Sequence, residues 1–230
     1  MEQIRTPFSL IWTIMSPTVL FFFLHFNEIE LHYGDTAWLG KQISWFVGYI
    51  SFSVVLFNYC LYLVGRRESG FIATFVHNMD GRLLFIRSQL IASLIMSILY
   101  VFFFILVVLT GFQASPDYQI VMIILKSIYI NAFMMVSLTF MASFRVTFQT
   151  ASTIYSVLIT VCMVSGIVSL KYNEGIVYWI NQVNPIAIYS TILQSDQELS
   201  LMTIFFYSIM LIISIISALT FKTEPVWSSQ

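Results

Sequence analysis

The stretch G65-R-R-E-S-G-F-I-A-T-F-V-H-N-M-D-G-R-L-L-F-I-R87 is the only long segment of this chain that is both charged and amphipathic. Strongly apolar runs flank it on either side. It carries Arg66, Arg67, Arg82 and Arg87, four of the six arginines. Between the two Arg groups, Phe71, Ile72, Phe75, Val76 and Met79 recur at steps of one, three and four. That spacing gathers them on one face of a short helix, with Thr74, His77 and Asn78 elsewhere on its circumference. Such a helix lies along a membrane surface, apolar face inward and polar face toward water, and it can dock a soluble partner. A loop with a solvated basic end fits the same residues.

The rest of the 230 residues explain why a membrane is invoked. The composition is 59% hydrophobic and 9% charged, with 22 Phe, 11 Met and a mean hydropathy of +0.88. Ordinary soluble domains are about 25% charged, so too little polar surface remains here to coat a water-soluble globule. The net charge of -1 supplies no basic face for phosphates, which excludes a nucleic-acid partner. Cys60 and Cys162 both fall within apolar runs and read as small packing residues. No small-residue cleavage site follows Arg5 and the first apolar run, so that run is expected to be retained as a span.

Six runs approach the roughly 20 residues that a helix needs to cross hydrocarbon. They are Phe8 to Phe26, Gln42 to Val64, Leu83 to Leu109, Tyr118 to Phe144, Thr150 to Leu170 and Leu199 to Phe221. They are continuously apolar rather than alternating, which excludes a β-barrel. Pro17 is expected to kink the first. Arg5, Arg66, Arg67, Arg82, Arg87, Arg145 and Lys222 gather on one side, against Lys41, Lys171 and Lys126 toward the other. That bias places both termini and the Gly65–Arg87 segment in the cytoplasm of a multi-pass plasma-membrane protein. Trp38, Trp45, Trp179 and Trp227 lie near the predicted interfaces. Between the fifth and sixth spans, Ile176–Ile180 and Ile186–Leu193 are too short to cross, and Asn184-Pro185 breaks between them. Two short helices dipping into the outer leaflet fit this pattern, as does a plain outer loop.

Chemistry-bearing motifs are scarce. Gly65 and Gly70 have the glycine spacing of a phosphate loop, but Phe71 and Ile72 stand where Lys and Ser or Thr are required. The chain is therefore not expected to bind nucleotide or act as an enzyme. His25, His32 and His77 lack the spacing of metal ligands. Lys126 is the one charge well inside a span, either snorkelling toward Asp117 or serving a substrate path. Asn58, Asn131 and the hydroxyls Ser152, Thr153, Ser156, Thr160 and Ser165 are candidates to line a pathway or to join helices.

The pattern resembles the membrane subunits of ABC exporters of the type-2 permease class. Two places carry the resemblance. Arg67-Glu68-Ser69-Gly70-Phe71 looks like the family's R-E-x-G element, which opens the cytoplasmic coupling helix. Asn184-Pro185 through Tyr189 is similar to the family's outer hairpin before the last span. The resemblance implies one all-α domain over residues 1–230, with six spans, a coupling helix and a re-entrant outer hairpin. It implies that Arg67, Glu68 and Gly70 form the turn into the coupling helix. Phe71 to Asp80, including Phe75 and Met79, would then meet the ATPase beside Arg66. It also implies a second permease subunit and separate ATPases that bind ATP and Mg, with no cofactor on this chain. The apolar spans favour a hydrophobic or amphipathic substrate, and a peptide in export or self-protection is the expected one. The competing expectation is an ATP-independent carrier or a membrane scaffold.

Overall fold

The computed structural model describes residues 7–72, 79–169, 174–194 and 201–219, and every regular element among them is helical. Helix α1 is Pro7–Leu24. Helix α2, Thr36–Glu68, runs without interruption but is wound as a π-helix over Val54–Cys60. Then come α3 (Met79–Gly111), α4 (Tyr118–Ser143, with a turn at Thr139) and α5 (Phe148–Ser169). Two short helices, α6 (Gly175–Val183) and α7 (Pro185–Gln194), precede α8 (Leu201–Leu219). Four helices are long and apolar enough to cross a bilayer: Thr36–Glu68, Asp80–Gly111, Tyr118–Ser143 and Phe148–Val168. Met15–Leu24 and Thr203–Leu219 are apolar but shorter. Helix α1 continues through Pro17.

Helix α2 is the axis of the bundle. It packs on α1, α3, α4, α5 and, most extensively, α7. Its inward stripe Leu39, Ile43, Phe46, Val47, Ile50, Leu56 and Leu63 is buried, as the spacing of one helix face requires. Near one end, Phe21 of α1 meets Phe46, Phe104 and Phe112 edge-on, with centroids 5.0, 5.7 and 6.0 Å apart. These edge-to-face contacts add about 0.5–1.5 kcal/mol each to what burial contributes.

Helices α2 and α4 are each capped by an aspartate. The Asp35 carboxylate accepts from the Trp38 N–H at 3.1 Å, and the Asp117 carboxylate accepts from the Ile120 N–H at 3.0 Å. Each cap satisfies an orphan donor and sets a negative charge at a helix N-terminus. The Trp38 N–H, followed by the His32 side chain, holds the Asp35 carboxyl below its ordinary value of 3.8. A hydrogen bond from Thr36, followed by the Ile120 and Gln119 N–H groups, does the same for Asp117 and ties α4 to α2.

The short helices form the folded-back hairpin that Asn184-Pro185 predicts. Asn184 is its tip, and the carboxamide oxygen caps α7 by accepting from the Ile186 N–H at 3.0 Å. Pro185 occupies the first helical position, where its missing N–H costs nothing. The amide of Asn184 reaches α5, donating to the Cys162 carbonyl at 2.8 Å and the Ser165 hydroxyl at 3.1 Å. The last helix closes on the same tip, with Thr203 donating to the Gln182 carbonyl at 2.9 Å and Tyr207 to the Val183 carbonyl at 3.4 Å.

Gly48 decides how closely α7 can lie on α2. A Cβ there would stand 2.8 Å from the Tyr189 Cβ and 2.9 Å from the Ile186 carbonyl oxygen. Only hydrogen fits. Gly48→Ala is expected to lower stability by about 1–3 kcal/mol, the usual cost of forcing extra atoms into a packed contact, whereas Gly40, whose nearest neighbour would be 3.6 Å away, tolerates Ala. Thermal unfolding of the two variants in detergent checks the contrast. Because the folded-state values of Asp35 and Asp117 are lowered, their contribution to stability is present above pH 3.8 and is lost as pH falls through those lower values. Asp117→Asn is expected to flatten that acid limb in a pH series of unfolding midpoints.

Candidate functional site

The residues that carry the resemblance fall where α2 ends. Its last turn runs Gly65-Arg66-Arg67-Glu68, and the chain then reverses at Ser69 and Gly70. The Ser69 N–H bonds to the Gly65 carbonyl and the Gly70 N–H to the Arg67 carbonyl, both at 3.0 Å. Gly70 has φ +72°, the left-handed conformation in which glycine ends helices at least cost. Phe71 and Ile72 are helical again, with Ile72 fully buried. Arg67, Glu68 and Gly70 thus lie where α2 ends and the chain turns.

The two neighbouring arginines do different work. The Arg66 guanidinium lies 5.0 Å from the Tyr62 ring and 4.8 Å from the Phe71 ring, and its Nε donates to the Tyr62 hydroxyl at 3.0 Å. Phe71 in turn lies 6.4 Å from the Phe85 ring. This cation–π stack links the end of α2 across the turn to α3. Arg67, in contrast, is only 1% exposed. Its two terminal nitrogens donate to the Ala142 carbonyl at 3.1 Å and the Val146 carbonyl at 2.9 Å, and Glu68 lies 3.9 Å from Nε. The Ala142 carbonyl is in the last turn of α4 and the Val146 carbonyl in the irregular connection that follows, where the Val146 N–H bonds to Phe144 rather than to Ala142. A planar fork suits two diverging acceptors, and a lysine would reach only one. Close by, Tyr155 donates to the Met141 carbonyl at 3.0 Å, and Gly65 presses its Cα against the Phe148 ring.

A solvated basic end, the alternative reading of this segment, does not describe Arg67, which is a buried clamp holding α2 to the α4–α5 connection. The signal was in the spacing, because Arg67 stands three and four residues after Val64 and Leu63 on the buried face of α2. Met79 and Asp80 lie at the start of the described part of α3. Asp80 is exposed. Phe75 and its neighbours 73–78, the middle of the expected docking helix, lie outside the described residues.

The candidate pathway residues have the following surroundings. Asn131 is fully buried on α4, and Tyr189 of α7 donates to its carboxamide oxygen, so it joins helix to hairpin. Asn58 sits in the π-helical turn of α2, where its backbone carbonyl accepts from Gln89 at 2.9 Å and Ser93 at 3.2 Å of α3. Lys126 is half-buried on α4. On α5, Thr153, Ser156 and Thr160 are exposed and donate to carbonyls one turn back in their own helix. Sequence reasoning missed Gly48, Gln89 and Tyr155, each defined by a partner on a distant helix.

No known family model matches this chain, and no solved structure matches it.

Removing the clamp leaves one buried and one part-buried carbonyl without their side-chain donor. Arg67→Met is expected to cost about 2–4 kcal/mol, Arg67→Lys less, and Arg66→Ala within about 1 kcal/mol. Unfolding midpoints in detergent measure all three.

Proposed function

We propose that this chain is the transmembrane permease subunit of an ATP-driven exporter. It pairs with a second permease subunit, identical or homologous, and moves a hydrophobic or amphipathic substrate, a peptide foremost. ATP and Mg bind to separate cytoplasmic ATPases that grip the connection between α2 and α3. The four long helices, together with α1 and α8, make six passes, and α6–α7 is the re-entrant outer hairpin. The arginine bias sets the α2–α3 connection in the cytoplasm.

One observation carries the reading: the buried Arg67 fastens the end of α2 to the α4–α5 connection immediately before the Gly70 turn. A force applied at that turn is delivered to α2, α3 and the α4–α5 corner together. Displacement as a unit is what a lever needs if partner closure is to rock packed helices. The stacked Arg66 and Phe71 stiffen the same corner.

The test is co-purification under mild detergent, followed by ATP-dependent transport in vesicles reconstituted with the recovered complex. A nucleotide-binding partner is expected to co-purify, and Phe75→Asp is expected to release it while leaving the permease inserted. Glu68→Ala, beside the clamp, is expected to lower coupled transport on the order of tenfold. Transport that survives ATP depletion, with no co-purifying ATPase, overturns the proposal in favour of an ATP-independent carrier. Absence of both transport and an ATPase leaves a membrane scaffold.

A further inference from the structure

Far from the Arg67 clamp, a cavity of about 510 Å³ opens between the first turns of α2 and α4 and the end of α7. That volume lies within the range of small-ligand sites. Two of its polar walls are already committed. Ser44 donates to the Gly40 carbonyl at 2.7 Å, and the Gln194 amide donates to the Ser190 hydroxyl at 2.9 Å and the Lys41 carbonyl at 3.4 Å. The Lys41 ammonium, the Gln119 carboxamide and the Tyr118 hydroxyl remain. None of these three side chains has a hydrogen-bond or ion-pair partner among the described residues.

Among the described residues, no carboxylate lines the cavity. Asp35 and Asp117, next to the lining residues at the starts of α2 and α4, are spent on capping those helices. A point charge with a neighbouring amide and hydroxyl, and no anion among the described lining residues, is a donor set for a group with several anionic oxygens. Beneath it, Met122, Ile123 and Leu193 form an apolar floor.

The surface leading away from the cavity narrows the ligand class. Tyr118, Val121, Leu125 and Tyr129 follow one another along one face of α4 and are 76%, 47%, 48% and 77% exposed. Their steps of three and four make a continuous apolar strip beginning at the cavity mouth. A free phosphate has no use for such a strip, whereas an acyl chain does. We propose that the cavity holds the phosphate headgroup of an anionic phospholipid, with Lys41 as its counter-charge and an acyl chain laid along this face of α4. The site is independent of the transport reading, since it needs no ATPase and no substrate.

Native mass spectrometry of the detergent-solubilised full chain, titrated with phosphatidylglycerol or phosphatidylcholine, tests it. Wild type is expected to prefer phosphatidylglycerol, and Lys41→Gln to lose about fivefold in affinity for it, the worth of one basic residue near an anionic headgroup. Lys41→Arg is expected to retain the preference, and Leu125→Gln to weaken long-chain phosphatidylglycerol more than a short-chain analogue. Lys41 is exposed, so its variants are expected to fold as wild type does. Equal binding of the two lipids, or a Lys41→Gln variant that binds like wild type, overturns the assignment. Full competition by millimolar inorganic phosphate, with no effect of Leu125→Gln, moves the site to free phosphate and overturns the lipid.

Discussion

A carbonyl or N–H left unpaired in hydrocarbon costs several kcal/mol, and this constraint governs where the bundle breaks its helices. Among the described residues, three places where regular winding fails are each met by a side chain from another helix. At the π-helical turn Val54–Cys60, the Asn58 carbonyl is taken by Gln89 and Ser93 of α3. Where α4 frays beyond Thr139, the Met141 carbonyl is taken by Tyr155, and those of Ala142 and Val146 by Arg67. At the hairpin tip, the Gln182 and Val183 carbonyls are taken by Thr203 and Tyr207 of α8. Some of the polar residues in these apolar helices are therefore donors to displaced backbone, while others, such as Ser44, Thr153, Ser156 and Thr160, donate within their own helix.

The same constraint separates what the sequence could reveal from what it could not. Apolar runs are a local property, so the long helices lie close to where hydropathy puts them, although α2 extends past both ends of the run Gln42 to Val64. Asn184-Pro185 was readable because a capping side chain followed by a residue without an N–H describes a helix start whatever surrounds it. Gly70 was readable as a helix stop for a similar reason. Arg67 was not. Beside Arg66 it reads as a basic surface pair, and what buries it is the demand of carbonyls 75 and 79 positions further along the chain. Its place on the apolar stripe of α2 was the available clue, but burying a guanidinium makes sense only once those acceptors are known. Gly48 is silent in sequence for the same reason, since the atoms that exclude its Cβ belong to Ile186 and Tyr189.

Both of these long-range contacts are made by one helix, on opposite sides of its π-helical turn. Gly48 receives the hairpin and Arg67 holds the α4–α5 corner, 19 residues apart, or roughly 28 Å along a helix of 1.5 Å rise. Between them, Val54–Cys60 is π-helical, and its Asn58 carbonyl accepts from Gln89 and Ser93 of α3. A helix that moves rigidly would carry a displacement at Arg67 undiminished to Gly48. An irregular turn tied to a neighbouring helix is where such a displacement can instead be taken up. The turn would relay movement if α3 moved with α2, and absorb it if α3 stayed. The Arg66–Phe71–Phe85 stack favours joint movement, because it fastens α2 to α3 at the end where Arg67 pulls.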